Sequence, residues 1–162
     1  MERPSAAARE SSTAETAPLL VVAVGEDRWA APTTRVVEIV ALPPVTPLPL
    51  APPLVIGVAV LRGQPLVVLT PRPGGNPGPV ALRWVVDGQG WLVAVDGVER
   101  LWRPGPSLPA TAWQTLAPPE APVAAAYRLE DGWVWQWPDD LPWRLLRGRS
   151  PEVREEGRHD AS

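Results

Sequence analysis

Few side chains in this chain have the type and spacing to do chemistry. The one histidine, His159, sits in a charged C-terminal stretch, where a solvated ring is the default. A lone histidine in that position removes His-based triads and His metal clusters from the reading. Asp139 and Asp140 are adjacent carboxylates, the raw material of acid–base catalysis. They precede an expected short helix, Trp143 to Arg147, and the positive end of a helix is sufficient reason for acids there. Gly74-Gly75 and Gly88-Gln89-Gly90 lack P-loop spacing and a clear following helix, so they read as turns rather than phosphate cradles. Trp133, Trp135 and Trp137 fall on one face of an expected strand. They are either an open platform for a sugar or peptide or core filling, and in a chain without phenylalanine the core reading is favoured. No catalytic residue, metal ligand or cofactor site is assigned.

Arg62 is the residue that most needs explaining. It stands at an Arg62-Gly63 corner between two apolar runs, Val55 to Leu61 and Pro65 to Thr70, which otherwise avoid charge. Taken alone it is a turn arginine packing its stem on neighbouring strands. A guanidinium also presents a rigid fork of donors, which a carboxylate and backbone carbonyls can hold in place.

The elements that must position these residues are short strands. Leu19 to Val24 and Arg28 to Ala31 flank a Gly25-Glu26-Asp27 turn. Pro32-Thr33-Thr34 offers a helix start, and one helical turn would put Val36 and Ile39 inward and Glu38 outward before a strand at Ile39 to Leu42. Pro43 to Pro53 is an extended loop. Val80 to Val86 alternates, Asp87-Gly88-Gln89-Gly90 is a hairpin turn, and Trp91 to Val95 returns. Asp96 to Trp102 continues, Ser107 to Pro122 is a loop, and Val123 to Leu129 pairs with Trp133 to Trp137 around Asp131-Gly132. Gly74-Gly75-Asn76-Pro77-Gly78 is the strongest linker signal. The organisation expected is a disordered lead over 1–17, one domain over 18–148 and a loose charged tail over 149–162. Within the domain, subdomains over 18–72 and 80–148 are split by a linker at 73–79. Short strands with tight turns point to an all-β fold of small barrels or a sandwich, with one or two short helices.

Composition narrows the function. The chain has 162 residues, 23 of them proline, which excludes long helices. All basic residues are arginine, net charge is −3 and no basic block is present, so the footprint of a nucleic-acid binder is missing. Absence of cysteine excludes disulfides and thiolate metal sites. The N-terminus lacks a signal-peptide pattern, and a cytoplasmic address is expected. Ile39 to Leu61 runs 23 residues without a charge, but six prolines there deny it a spanning helix, so direct membrane insertion is not expected.

Three segments, in order and spacing, resemble the CheW-like adaptor domain of bacterial chemosensory arrays. They are Arg35-Val36-Val37-Glu38-Ile39, Ile56 to Arg72 and Leu92 to Val98. The family pattern around the corner reads roughly Ile-x-Gly-x-x-Asn-Leu-Arg-Gly, followed by a strand ending in Asp-Leu-Arg. Ile56, Gly57, Leu61, Arg62, Gly63 and Arg72 match it. Val60 stands in place of Asn, and Thr70-Pro71 in place of Asp-Leu. The resemblance implies two packed, SH3-like, five-stranded barrels. It also implies a non-enzymatic adaptor that couples the cytoplasmic tip of methyl-accepting chemoreceptors to the regulatory domain of a CheA-type histidine kinase. Val36, Ile39, Gly57 and Leu61 would then shape an apolar groove for a receptor helix, with Glu38 and Arg62 as neighbours at its rim. Val95 and Asp96 match a second family motif, Val-Asp-x-Val. Asp96 is equally well read as a turn aspartate bonding its own backbone. The competing function is a Trp-rich β module that binds a carbohydrate or peptide, for which an exposed tryptophan shelf would speak.

Overall fold

The computed structural model describes residues 17–72, 77–118 and 122–147. The β-branched runs separated by Gly turns become eleven strands: β1 Leu19–Val24, β2 Asp27–Pro32, β3 Val36–Ala41, β4 Val45–Thr46, β5 Val55–Leu61, β6 Gln64–Leu69, β7 Val80–Val86, β8 Gln89–Val95, β9 Gly97–Trp102, β10 Ala125–Leu129 and β11 Gly132–Gln136. Two short helices accompany them, α1 at Ala110–Trp113 and α2 at Leu141–Arg147. The strands form a five-stranded sheet in the order β10-β11-β2-β1-β9. They also form a six-stranded sheet in the order β3-β7-β8-β6-β5-β4. The expected five strands per unit hold for the first sheet, and the two-residue β4 adds a sixth to the second.

Most strands are apolar on both faces, because each face has a core of its own. In the six-stranded sheet one face buries Ala59, Leu66, Val68, Ala81, Leu92 and Ala94 together. The alternate residues Leu69, Leu82, Trp84, Trp91, Val93 and Val95 join Leu20, Val22, Trp29, Trp135 and Trp137 of the other sheet in a joint core, which α2 also enters with Leu141 and Leu145. The five-stranded sheet keeps a small cluster on its far face, with Leu19, Ala30, Tyr127 and Val134.

Tryptophan is the main aromatic material of the joint core. Trp137, fully buried, stacks on Trp29 with centroids 5.1 Å apart and meets Trp84 edge-on at 6.1 Å. Trp135 is also buried and stacks on half-buried Trp133 at 5.0 Å, with the Arg128 guanidinium over the Trp133 ring. The stripe is therefore core and not an open shelf.

Three expectations need correction. The sheets do not divide the chain at 73–79, of which 73–76 lie outside the described residues. Strands on either side of that segment share one sheet, with β6 and β8 paired in parallel, while β1 and β2 join β9 to β11. Strand patterning reports local conformation and is silent on the distant partner. No helical turn forms after Pro32. The Arg35 amide closes a turn on the Pro32 carbonyl, and β3 starts at once. β3 then alternates by two instead of by a helical three, which reverses the expected facing: Glu38 turns inward and half-buried, while Val37 and Ile39 point to solvent. The expected lead over 1–17, Ala17 apart, and the expected tail over 149–162, with His159, lie outside the described residues.

Candidate functional site

The site is a corner, and its backbone comes first. Leu61 pairs with Gln64, leaving Arg62 and Gly63 as a two-residue hairpin loop with φ of 50° and 83°. Both values are positive, as the twist-matched hairpin turn requires, and that turn favours Asn-Gly or Asp-Gly. The sister turn in the same sheet obeys the preference, with Asp87 at 52° and Gly88 at 80°. Arginine in the left-handed region is a strained choice.

What holds Arg62 is Glu38. Its Nη2 donates to Glu38 Oε1 at 2.5 Å. The contact spans the sheet. β3 and β5 are four inter-strand steps apart, about 19 Å in a flat sheet. Such a gap exceeds the reach of one arginine, so the six-stranded sheet must curl until the two strands approach across its inner face. Glu38 is also register partner of Arg83 on β7, whose Nη1 lies 3.6 Å from the same Oε1. Arg83 Nη2 donates to Gln64 Oε1 at 3.2 Å, and its buried Nε has no hydrogen-bond partner. The four side chains close the end of the inner cluster of the six-stranded sheet, where half-buried Leu61 packs.

The Arg62 hydrogen bond, helped by the charges of Arg62 and Arg83, holds the Glu38 carboxyl below the usual carboxylate range; partial burial opposes it. Glu38 in turn raises the Arg62 pKa. The pair is not buried: the Arg62 side chain is 59% exposed and that of Glu38 29%. Beside it, Val37 and Ile39 leave an apolar strip of β3 in solvent, at 57% and 48% exposure, and Val60 adds 58% on β5.

The other expected site residues divide sharply. Val36 packs partly against the joint core. Gly57 is buried, and a Cβ there would overlap the Thr46 carbonyl, so the backbone it admits is this chain's own β4 rather than a partner. Val95 is 1% exposed, inside the joint core. Asp96 Oδ2 accepts the Gly25 amide at 2.5 Å, and its own amide donates to the Ala23 carbonyl, tying the β1–β2 turn to the end of β8. The corner lies at the start of β6 and its parallel neighbour β8, whereas Val95 and Asp96 lie at the far end of β8, roughly 20 Å away. They do not join the corner. Asp96 is not the expected turn aspartate bonding its own backbone either, since its carboxylate accepts from a turn 71 positions away.

Sequence reading missed Arg83, Gln64 and Val37. Arg83 had a signal, as the only charge in the β7 run between Leu82 and Trp84. Asp139 and Asp140 are each paired, with Arg35 at 3.7 Å and with Arg144 at 3.0 Å, which supports their structural reading. Among the described residues no cluster of three metal-ligating side chains exists, and no helix is long and apolar enough to cross a membrane. What the corner offers is surface recognition: fixed charge beside exposed aliphatic groups.

The family model for the CheW-like domain matches residues 18–141. Among solved structures, the chain is similar to the crystal structure of the scaffolding protein TtCheW from Thermoanaerobacter tengcongensis. That similarity has a TM-score of 0.57 at 18% identity and covers 74% of this chain and 86% of the other. At that identity the likeness speaks for the fold alone. No curated protein matches the chain.

Proposed function

Because this chain belongs to the CheW-like domain family, we propose that it is a non-enzymatic chemotaxis adaptor, coupling the cytoplasmic tip of a chemoreceptor to the regulatory domain of a CheA-type histidine kinase. The observation that carries this reading is the Arg62 corner. A strained, mostly exposed arginine is held in one place by Glu38, beside the exposed aliphatic strip of Val37 and Ile39. An apolar strip takes the apolar stripe of a receptor helix, and a charged rim fixes its register. Val60, where the family carries Asn, enlarges the aliphatic surface. The residues assigned to partner contact are Glu38, Ile39 and Arg62, with Val37 added. Leu61 and Gly57 support the corner from within. The protein would work at the inner face of the membrane through its partners. Burial of Trp135 and Trp137 removes the support for a tryptophan-shelf binding module.

The test is capture of purified kinase regulatory domain and purified receptor tip by the full chain and by Arg62→Ala. Wild type is expected to retain both, and the variant to lose the receptor tip while keeping its fold. Wild type that retains neither would end the adaptor reading. Equal capture by both forms would end the site assignment alone.

A further inference from the structure

We propose that Leu50, at the tip of the proline-rich loop between β4 and β5, is a preformed apolar anchor that enters an uncharged pocket on the regulatory domain of the kinase. This rests on the adaptor reading, and it names a contact for the partner that the Arg62 corner does not serve.

The loop is stiff everywhere but at its tip. Four of the seven residues from 47 to 53 are proline, and Leu48 and Ala51 each precede one. Proline fixes its own φ and keeps the residue before it out of the helical region. Leu50 alone escapes both restraints, and the turn falls on it, with φ of 60°. Proline at one position and positive φ at the next is the pattern of a type II turn, in which the second of these positions favours glycine or asparagine. Both ends of the loop are fastened. Before it, Thr46 pairs with Val58 across β4 and β5. After it, Leu54 is buried in the joint core, its carbonyl accepts the Thr70 amide, and the Val55 amide closes a turn on the Pro52 carbonyl.

Leucine is a poor residue for that tip on a free surface. Its side chain has no polar atom to offset the left-handed backbone, unlike Arg62 and Asp87, the other non-glycine residues with positive φ among those described. It is also fully exposed, more so than any other large apolar side chain among the described residues, and Leu48 beside it is 43% exposed. An apolar side chain held in a strained conformation by a stiff frame is already ordered for docking, so binding loses little conformational freedom.

Charge and position indicate what covers it. No residue from Ile39 to Leu61 is charged, so the matching surface is apolar and uncharged. The loop leaves the Val55 end of β5, whereas the corner stands at the Leu61 end, roughly 20 Å along the strand. An adaptor that holds two partners at once needs two separate surfaces. The receptor tip takes the corner, and the loop end is left for the kinase. A second copy of this chain is the poorer match, because its cavity beside Tyr127 presents Thr33, Thr34, Gln136 and Asp139 to an incoming leucine.

The experiment is calorimetric titration of the full chain with purified kinase regulatory domain, and separately with purified receptor tip, at low and high salt. Wild type is compared with Leu50→Gly and Leu50→Asn, both of which suit the left-handed backbone. Their melting temperatures are expected to equal or exceed that of wild type. Their affinity for the regulatory domain is expected to fall about tenfold or more, the size of one leucine withdrawn from an apolar pocket. That ratio is expected to be the same at both salt concentrations, since no charge takes part. Tip binding is expected to stay within about twofold of wild type. Unchanged affinity for the regulatory domain, or a loss that disappears at high salt, overturns the anchor and leaves the adaptor reading intact. An equal loss of tip binding does the same, since Leu50 then does not serve the kinase alone. A wild type that binds the tip and not the regulatory domain also overturns the anchor. If one variant fails to fold, the other decides. A wild type that binds neither partner overturns both proposals.

Discussion

Arg28–Asp131 in the five-stranded sheet and Arg62–Glu38 in the six-stranded sheet are both arginine–carboxylate pairs, and they are built differently. In the five-stranded sheet Arg28 of β2 grips Asp131 through both nitrogens, at 3.1 and 2.9 Å, with its side chain only 16% exposed. It ties β2 to the turn between β10 and β11, and the charge of Arg100 acts on Asp131 more weakly. In the six-stranded sheet Arg62 holds Glu38 through one nitrogen, is mostly exposed, sits on a strained turn and shares its partner with Arg83. A bidentate, single-partner bridge suits fastening, because it resists exchange. A monodentate, shared, exposed one suits recognition, because either partner can be replaced at small loss.

That contrast can be broken or sharpened in several ways. The largest effect lies beneath both pairs. Trp137→Ala removes a fully buried ring stacked on Trp29, and is expected to lower stability by about 3–5 kcal/mol, read by denaturant unfolding. Next, Gly57→Ala drives a methyl into the Thr46 carbonyl and is expected to detach β4 at a cost of about 1–3 kcal/mol. If partner capture survives that loss, Gly57 is confirmed as internal support and not a contact.

The pairs themselves come next. Arg28→Ala is expected to lower the melting temperature and leave receptor-tip binding within about twofold of wild type, since a mostly buried arginine on the other sheet carries little binding energy. Arg62→Ala is expected to weaken binding at least about fivefold, with a smaller thermal change. If the two variants exchange these effects, the contrast drawn here is wrong. The smallest effect is the pH dependence. Glu38 and Asp131 are both held below their ordinary carboxylate values, chiefly by hydrogen bonds from Arg62 and Arg28. A depressed folded-state pKa gives stability that is fully present above the unfolded value, near 3.8 for Asp131, and is lost as pH falls through the lower folded value. Thermal melts from pH 7 to pH 3 should therefore show wild type above Arg28→Ala at neutral pH and the two converging in acid.

How much of this was legible in the chain depends on distance along it. Local features read well: the Asp87-Gly88 turn, the two-residue corner at Arg62-Gly63 and the apolar runs that became β1, β5, β7 and β8. The neighbourhood of Arg62 and Glu38 was legible only through family resemblance, since nothing local joins residues 24 positions apart. The division of the chain into sheets was not legible. β1 and β2 pair with β9 and β11, and no strand's own pattern names its partner. The facing of β3 failed for a smaller reason. A helical spacing of three was expected where a strand alternates by two, and β3 is an edge strand, so Ile39 went outward and Glu38 inward. Val95 and Asp96 matched a motif but occupy the opposite end of β8, where burial and the Gly25 amide account for them.

The most direct measurement of the central claim compares Arg62→Ala with Arg28→Ala against purified receptor tip in one titration series with the full chain. The account predicts that only Arg62→Ala loses affinity while both retain the tryptophan signature of the folded core. Equal affinity for the two variants and wild type would contradict it.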